Sequence, residues 1–461
     1  MPKIVINEVD LTTSGGAIEL SNVVYVPGIA KDKLPADFEE DTPRFYDNLD
    51  KFKADFGLIV PRIGLGELSS DKYPSFENGF GYDTGYIYAT ELLRLGIPVV
   101  YDCLAKKGQE QIDTETGEKY CEPDSDSYML SVILERLEKS LTPDKDITKM
   151  TKYKLLTDKG LYDIKYLSNG GYVTPGIQAQ LFNLAKERKD CVAILDIQYK
   201  DSILDFIKEG TQGITKESLT SNIIDKEYIK DEPDFDKYLK YASVFAPWSD
   251  FRCPSTIEAA KASKTDYKAE YPLPGSFAYF MALANAIKNG ANNWAAVAGA
   301  TRGAIPYLVK PKEILTEAVV HVLQTREAIA VNPIATINPF GTIVWGNRTL
   351  FDNTENRDLT ASSFLNIRNM CSDIKKELFK TARELTFEQN SDILWINFKS
   401  LLTPLLDKMV TGNALSGYEL LKRANKKKAE LKCVIRLYAI EAVEDFEIEV
   451  QLADESTAVI E

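Results

Sequence analysis

Residues 331–350 of this chain read VNPIATINPFGTIVWGNRTL. Two apolar runs, VNPIATI and TIVWGN, flank the segment NPFG, in which Pro339 comes early and Gly341 comes last. β-Forming runs on either side of a short turn that contains proline and glycine are typical of a β-hairpin. The stretch therefore predicts two antiparallel strands joined by a tight connection.

Upstream of this hairpin, strand-like runs alternate with helical segments. The helical segment 80–96 offers Asp83 or Thr84 as its N-cap and Gly96 as its stop. Further strands are expected at 58–64, 97–103, 191–198 and 240–248, and further helices at 177–190 and 276–290. A strand, helix, strand unit of this length predicts parallel strands joined by a right-handed crossover. The predicted fold class is α/β, α+β overall, with a doubly wound α/β layer and acidic insertions near 105–150 and 205–240.

The last third of the chain is richer in long helices. A helix is expected at 314–330, and two more at 362–387 and 391–412, the last of them broken by Pro404. The helix at 362–387 is amphipathic, with apolar residues at a spacing of three to four: Phe364, Ile367, Cys371, Ile374, Leu378 and Leu385. Two β-like runs, 430–440 and 445–453, close the chain.

The composition excludes several classes of function. With 55 Lys+Arg against 69 Asp+Glu, the formal net charge is −14, which argues against a protein whose main task is to bind nucleic acid or anionic lipid. The single histidine excludes any site that needs two imidazoles, and the six cysteines are too widely spaced to suggest a metal site or thiol exchange. The amino terminus lacks the pattern of a signal peptide, so we expect a soluble protein made in the cytoplasm.

The sequence contains no convincing catalytic motif. Gly79, Gly81 and Gly85 only approximate a dinucleotide fingerprint, because the third glycine is displaced by one position. No phosphate loop and no nucleophile elbow is present, and His321 lies on an apolar helical stretch where a structural role is expected. Asn347 begins a match to a glycosylation acceptor, which has no expected role without a secretory signal. We therefore predict no catalytic residues, no metal site and no cofactor.

Charge is distributed unevenly at the carboxyl end. Residues 422–432 carry six Lys/Arg and one Glu, whereas residues 433–461 carry one Arg and eight Asp/Glu. One interpretation is a solvated helix face beside an acidic tail. The other is a pair of complementary docking surfaces, one for an acidic partner and one for a basic partner.

The carboxyl half resembles the tail sheath proteins of contractile bacteriophages and related injection machines. The resemblance begins at APWSDF (246–251), continues in NGANNWAAVAGATRG (289–303) and in the hairpin stretch, and extends through FLNIRNMCSDI (364–374) and TFEQN (386–390). The residues that match the family pattern are Trp294, Arg302, Asn332, Pro333, Ile334, Trp345, Gly346, Arg348, Thr349 and Leu350. In all it covers about 246–452, with a weaker echo at 23–29. In two places the sequence departs from the family: Arg368 stands where the family often has two arginines, and the closing strand lacks the usual proline-containing segment.

The resemblance implies a structural subunit that polymerises as a helical tube around a tail tube and contracts without any nucleotide. The implied partners are copies of the chain, in hexameric rings stacked helically, together with the tail tube protein and the baseplate and terminator proteins. The implied location is the virion tail, with assembly in the host cytoplasm. The expected domains are an amino-terminal arm (1–24), an outer α/β domain (25–250), a sheath core domain (251–452) and a tail (453–461).

Terminal arms link neighbouring subunits in this family. A short strand at 3–11, followed by the flexible segment TTSGG, is suited to pairing with a sheet edge on a neighbour. The candidate intersubunit strand residues are Ile4, Ile6, Val9, Phe446, Ile448 and Val450, although the same residues could complete the sheet of their own subunit. By analogy with the family, the candidate residues facing the tube are Lys422, Arg423, Lys426, Lys427 and Lys428.

Two other classes of function stay open on the sequence. One is an enzyme that binds a small anion or nucleotide at the carboxyl ends of the strands in 58–248. The other is a non-contractile virion structural protein, such as a tail tube or capsid-associated subunit. The length of the chain and its long helices count against a tube subunit, which is usually a smaller β-barrel.

Overall fold

The computed structural model describes residues 21–29, 33–57, 84–144, 146, 148–199, 202–203, 223–225, 235–263, 270–324, 331–351, 360–423 and 431–440. Its strands are β1 (Val24–Gly28), β2 (Leu34–Pro35), β3 (Arg44–Tyr46), β4 (Val99–Cys103), β5 (Lys107–Ile112), β6 (Lys119–Pro123), β7 (Tyr166–Ser168), β8 (Val192–Asp196), β9 (Ala242–Ala246), β10 (Ser249–Phe251), β11 (Tyr271–Leu273), β12 (Leu308–Pro311), β13 (Val331–Ile337), β14 (Gly341–Val344), β15 (Leu415–Arg423) and β16 (Lys432–Ala439).

The α-helices are α1 (Leu49–Phe56), α2 (Thr84–Arg94), α3 (Leu130–Ser140), α4 (Lys152–Thr157), α5 (Pro175–Arg188), α6 (Phe235–Tyr238), α7 (Pro254–Ser263), α8 (Gly275–Lys288), α9 (Gly299–Arg302), α10 (Glu317–Gln324), α11 (Leu365–Glu384) and α12 (Asp392–Thr411). Side-chain caps fix several of their starts. The hydroxyl of Thr174 accepts a hydrogen bond from the backbone of Ile177 ahead of α5, and Ser391 does the same for Leu394 ahead of α12.

An eight-stranded mixed sheet forms the centre of the molecule, in the order β14-β13-β9-β8-β7-β1-β4-β3. The six inner strands are parallel, and β3 and β14 run antiparallel at the two edges. The strands predicted at 97–103, 191–198 and 240–248 are confirmed as β4, β8 and β9. The strand predicted at 58–64 lies outside the described residues, and β4 instead pairs in parallel with β1.

Helices cover both faces of this sheet, and each face has its own apolar core. On one face, Tyr25 of β1 packs in the same core as Ile133 of α3 and Phe182 of α5. On the other face, Val24 of β1 lies in a core with residues of α2 and α8, among them Phe280. Because neighbouring side chains of a strand point to opposite faces, both alternating sets of a central strand are buried. The predicted α/β class is confirmed, and the predicted helices at 177–190 and 276–290 correspond to α5 and α8.

A three-stranded sheet, β2-β6-β5, extends the molecule beyond the carboxyl ends of β1 and β4. We call it the insertion sheet. Strand β5 is exposed along almost its whole length, with one residue partly covered. Residues 105–130, in which three Lys stand beside seven Asp/Glu, therefore form a surface insertion as predicted, and the insertion is a β-hairpin docked on β2.

The predicted hairpin at 331–347 is confirmed. Strands β13 and β14 pair antiparallel, from Ile334 opposite Val344 to Ile337 opposite Gly341. Gly341 has φ +80°, a conformation that glycine adopts without steric cost. Strand β13 also pairs in parallel with β9. The eight-stranded sheet therefore contains strands that precede and strands that follow residue 250, where the outer domain was expected to end.

The C-terminal module, residues 365–440, consists of α11, α12 and the antiparallel hairpin β15–β16 around a third apolar core. The expectation that Pro404 breaks the second long helix is wrong, because α12 runs continuously through it. Ser400, whose carbonyl loses its helical partner at Pro404, is exposed and so can be solvated. Strand β15 was not predicted, and the basic stretch at 422 begins on this strand rather than on a helix face.

Candidate functional site

The side chain of Asn332 joins three segments at the start of the predicted hairpin. It is fully buried, and its amide nitrogen donates to Ser243 Oγ at 2.9 Å, to the carbonyl of Val244 at 3.1 Å and to that of Arg348 at 2.8 Å. Its carbonyl oxygen accepts from the backbone nitrogen of Arg348 at 2.6 Å. The amide thus holds the segment after the hairpin against strand β9.

The residues around Asn332 are shaped to this contact. Gly346 lies so close that a Cβ added there would be 2.6 Å from Asn332 Oδ1, so any side chain would force a shift. The carbonyl of Pro333 accepts from the backbone nitrogen of Trp345 at 2.9 Å. Ile334 is fully buried in the core that contains α2 and α8. These four positions of the family pattern are therefore brought together, and their role in this structure is packing.

The segment after the hairpin also anchors the start of helix α11. The backbone nitrogen of Thr349 donates to the carbonyl of Ser363 at 2.9 Å, and its hydroxyl donates to that of Ser362 at 2.7 Å. The side chain of Asn347 donates to Asn366 Oδ1 at 2.7 Å. The guanidinium of Arg348 lies over the ring of Phe364, 5.5 Å from its centroid. These contacts thus tie the segment that follows the central sheet to the start of the C-terminal module.

Trp294 and Arg302, two further residues of the family pattern, make different contacts. Trp294 is buried in the core of the C-terminal module, and its indole nitrogen donates to the carbonyl of Gly412 at 3.4 Å. Arg302 donates through Nε to the carbonyl of Ala296 at 2.7 Å and so closes its own loop. Trp294 thus packs in the core of the C-terminal module. Arg302 stabilises the loop before Ala304, which forms an antiparallel bridge with Ile343 of β14.

A buried ion pair that the sequence did not reveal joins helix α11 to the central sheet. Lys165 Nζ lies 2.8 Å from Asp373 Oδ2, and the two side chains are 0% and 1% exposed. Burial lowers the pKa of Lys165 and raises the pKa of Asp373, and the attraction between the two charges opposes both shifts. Lys165 also donates to Asn22 Oδ1 at 3.1 Å, which ties the pair to the segment before β1.

Further polar contacts of α11 surround this pair. Lys376 pairs with Asp163, and Lys375 donates to the carbonyl of Lys189 at 2.6 Å. Burial alone would raise the pKa of Asp163, but the charges of Lys376 and Lys380 outweigh it and hold that pKa below its usual value. We call the buried polar and charged residues on this side of α11 the polar seam: Arg368, Asn369, Asp373, Lys375 and Lys376.

The hairpin β15–β16 forms a two-stranded sheet of its own in the described part of the chain. Among the residues that the structure describes, each of its strands pairs only with the other. Its outward face carries the pair Glu419 and Arg436 at 3.3 Å, and Tyr438 donates to Glu419 at 3.1 Å. An exposed sheet edge offers backbone donors and acceptors to a further strand. The strand candidates Ile4, Ile6, Val9, Phe446, Ile448 and Val450 all lie outside the described residues.

Two of the five basic candidates can be placed. Lys422 and Arg423 are exposed at the end of β15, and Lys422 forms an ion pair with Asp392 at 2.7 Å. Lys426, Lys427 and Lys428 lie outside the described residues. Within 391–423 and 431–440, six Lys/Arg stand beside three Asp/Glu, so this part of the module is positive in a chain whose net charge is −14.

A buried polar cluster occupies the carboxyl ends of β7 and β8, where the alternative reading expected a small anion or nucleotide. Asp196 is fully buried; it accepts from the backbone nitrogen of Ser276 at 2.7 Å, from the hydroxyl of Ser276 at 2.6 Å and from Asn169 at 2.8 Å. Gln178 accepts from the backbone nitrogen of Asp196 at 2.7 Å. Burial raises the pKa of Asp196 to about 7 despite these hydrogen bonds. The groups at these strand ends are thus engaged with one another.

The titratable groups, thiols and helices of the described part of the chain bear on two further features, a metal site and a membrane span. Within the described ranges, no cluster of three or more His, Cys, Asp or Glu side chains is placed to hold a metal ion. His321 lies on α10, and the six cysteines are buried or half-buried. In the part of the chain that the structure covers, no helix combines the length and apolar character needed to cross a membrane.

Comparison with known proteins places the fold. No protein-family model and no curated protein sequence matches the chain. The structure is similar to the sheath complex of PVC, an extracellular contractile injection system, in its contracted state, with a TM-score of 0.55 and 15% identity over 99% of this chain and 98% of the other. It is also similar to a chain of the baseplate of AFP, the anti-feeding prophage, with a TM-score of 0.54 and 11% identity over 98% and 99% of the two chains.

A third similar structure is the helical sheath of AFP in its contracted state, with a TM-score of 0.51 and 11% identity over 98% of this chain and 99% of the other. The likeness covers almost the whole of each chain rather than one domain. The chain therefore has the fold of the sheath proteins of contractile injection systems, as the sequence resemblance implied.

Proposed function

We propose that this protein is the structural subunit of a contractile tail sheath, which polymerises as a helical tube around a tail tube and shortens to drive that tube through a host envelope. The observation that carries the proposal is the match to sheath structures over almost the whole chain. A subunit of this kind needs no catalytic residue, metal or cofactor, and its free energy for contraction is stored when the polymer assembles.

The proposed partners are copies of this chain, in rings stacked helically, with a tail tube protein and the baseplate and terminator proteins at the ends. Contacts along such a tube are heterologous, so they extend the polymer instead of closing it. The proposed location is a virion tail or a related particle, with assembly in the host cytoplasm.

The terminal arms are the proposed links between subunits. We place the strand at 3–11 and the strand around 446–452 of neighbouring copies on the open edges of hairpin β15–β16. Support comes from the unpaired edges among the described residues and from the apolar alternation of both arm sequences.

The domain organisation follows from the same proposal. We propose that the arm (1–24), the outer α/β domain (25–250), the sheath core domain (251–452) and the tail (453–461) are the functional parts of the subunit. The outer domain is proposed to be doubly wound, since α2 and α5 pack on opposite faces of the sheet. The shared pairing of β9 with β13 means that the outer and core parts are joined through one sheet.

The insertion sheet and the C-terminal module lie at opposite ends of the parallel strands. The insertion sheet follows the carboxyl ends of β1 and β4, whereas α11 contacts Lys165 and Lys189, which precede β7 and β8. We propose that the positive module faces the tube and that the acidic insertion faces outward. Lys422, Arg423, Lys426, Lys427 and Lys428 would then meet an acidic surface through individually weak contacts of about 0 to 1 kcal/mol each.

Negative-stain electron microscopy of the expressed full chain tests the function directly. Hollow tubular polymers with a helical surface lattice are the expected result. Particles that stay monomeric at high protein concentration, together with saturable binding of a nucleotide, would favour the enzyme alternative instead. Thin smooth tubes of constant length would favour a non-contractile structural protein.

A further inference from the structure

Helix α11 is buried on two sides. One side, which includes Ile367, Met370 and Ile374, packs into the core of the C-terminal module. The other side carries the polar seam, whose five residues are between 1% and 8% exposed. The helix is therefore an interior element with one apolar and one charged face, and the charged face meets protein.

The polar seam lies against the amino ends of three neighbouring strands. Asp373 pairs with Lys165, which directly precedes β7, and Lys375 donates to the carbonyl of Lys189, which lies shortly before β8. The guanidinium of Arg368 lies over the ring of Tyr241, directly before β9, at 4.9 Å from its centroid. One helix thus contacts, through polar side chains, the residues that lead into three neighbouring strands of the central sheet.

Buried charges on α11 favour the one alignment of the helix on the central sheet that brings each charge to its partner. An unmatched buried charge is costly, so a buried ion pair adds a penalty to every alignment that separates its two partners. A displacement of α11 by one helical turn in one direction would put the uncharged Asn369 and Ser372 where Asp373 and Lys376 stand now. In the other direction, Glu377 and Lys380 would take the places of Asp373 and Lys376 with longer or equal side chains of the same charge, but Phe379 would replace Lys375 at the carbonyl of Lys189.

We infer that the polar seam is a register lock, which fixes the C-terminal module to the central sheet in one alignment and makes the two move as one body. The lock is a property of the single chain and does not depend on polymerisation. If the proposed sheath function holds, the lock also transmits force from the module to the outer part of the subunit during shortening, and that second step rests on the proposed function.

The test compares amide hydrogen exchange in the full-length wild type and in a Lys165→Met/Asp373→Leu double variant. Replacing both charges with apolar groups of similar size keeps the site filled and leaves no charge unpaired. We expect exchange in 365–384, 415–423 and 432–439 to become at least tenfold faster, while β8 and β9 keep their wild-type protection. Unchanged protection of the module, or an equal loss of protection in module and sheet, would overturn the register lock.

A matched control is the buried pair Lys152 and Asp102, at 2.7 Å, which lies away from α11. The double variant Lys152→Met/Asp102→Leu should leave the exchange of the module relative to β8 unchanged. If Lys165→Met/Asp373→Leu does not fold, Asp163→Asn/Lys376→Gln at the more exposed end of the seam serves instead, with the same expected pattern. Electron microscopy of the same samples scores polymerisation separately, so a chain that never polymerises would contradict the sheath function without affecting the exchange result.

Discussion

Asn332 and Arg348, sixteen residues apart, are joined by two hydrogen bonds: the side-chain amide of Asn332 donates to the carbonyl of Arg348 at 2.8 Å and accepts from its backbone nitrogen at 2.6 Å. The same amide donates to Ser243 and Val244 near β9. A side chain with both a donor and an acceptor is needed here, because the groups that it satisfies are of both kinds. This explains in physical terms why an asparagine follows Val331 in the hairpin.

Asn332→Ala should therefore lower the free energy of unfolding by about 2–4 kcal/mol, since it removes the acceptor of the buried Arg348 backbone N–H and opens a small cavity. Urea denaturation followed by circular dichroism measures the change. Thr336→Ala is the matched control on the same strand: the exposed Thr336 side chain shares a hydrogen bond with the Thr342 hydroxyl, and its loss should cost about 0.5 kcal/mol or less. Equal effects of the two substitutions would contradict the role given to Asn332.

Gly346→Ala tests the close approach at the same place. The added Cβ would lie 2.6 Å from Asn332 Oδ1 and 2.7 Å from its Cα, so backbone must move, and we expect a loss of about 1–3 kcal/mol. Gly417→Ala is the control, because the nearest atom to its added Cβ is 3.8 Å away. The control should be neutral or slightly stabilising in the same denaturation assay. A neutral Gly346→Ala would show that this contact tolerates a side chain.

Local patterns in the sequence predicted much of the fold. The hairpin at 331–347 and helices α5 and α8 were found because alternation, helical periodicity and stop signals are all local. The parallel pairing of β13 with β9 could not be found in that way, since it joins segments almost ninety residues apart, as the hydrogen bond from Asn332 to Val244 shows. The predicted helix break at Pro404 was wrong, because a proline breaks a helix less readily when the freed carbonyl faces water.

The polar seam could not be predicted from the sequence. Apolar spacing identified the face of α11 that meets the module core, but it gives no information about what covers the opposite face. Lys165 and Asp373 are 208 residues apart, so nothing local links them. A signal did exist, however: Lys165 stands between Ile164 and Tyr166 at the start of a buried strand, where a charge requires a partner.

The carboxyl group of Asp196 should make stability depend on pH. Its pKa is raised to about 7 in the folded chain, above its ordinary value of 3.8. Between these two pH values the folded state therefore holds a proton that the unfolded state has released. Its contribution to stability is then full below about pH 4 and is lost as the pH rises towards 7, by up to about 1.4 kcal/mol per unit. Between pH 4.5 and 8, the denaturation midpoint of the wild type should fall with rising pH more steeply than that of Asp196→Asn. Parallel slopes would show that Asp196 does not carry this dependence.

Removal of the amino-terminal arm separates folding from assembly. Deleting residues 1–12 should leave a chain with wild-type circular dichroism and thermal unfolding that no longer forms tubular polymers, because the strand at 3–11 is the proposed link to a neighbour. A subtler variant places Asp at Ile4, Ile6 and Val9, and its control places Asp at Thr12 and Thr13 in the proposed flexible lead. Helical polymers from the deletion, seen by negative stain, would rule out the arm as an intersubunit strand.

The role of the positive charge that begins at residue 422 can be tested by comparing charge reversal there with an equal charge reversal in the insertion at the other end of the molecule. Changing Lys426, Lys427 and Lys428 to Glu should abolish assembly on purified tail tubes, because like charges would then face the proposed acidic surface. Extending the reversal to Lys422 and Arg423 should not restore it. The control changes Lys106, Lys107 and Lys119 of the exposed insertion to Glu, which alters the net charge by the same amount. Sheathed tubes should form normally with the control, and co-sedimentation with tubes at rising salt concentration measures the difference. Equal loss in both variants would mean that net charge, and not the position of the module, governs assembly.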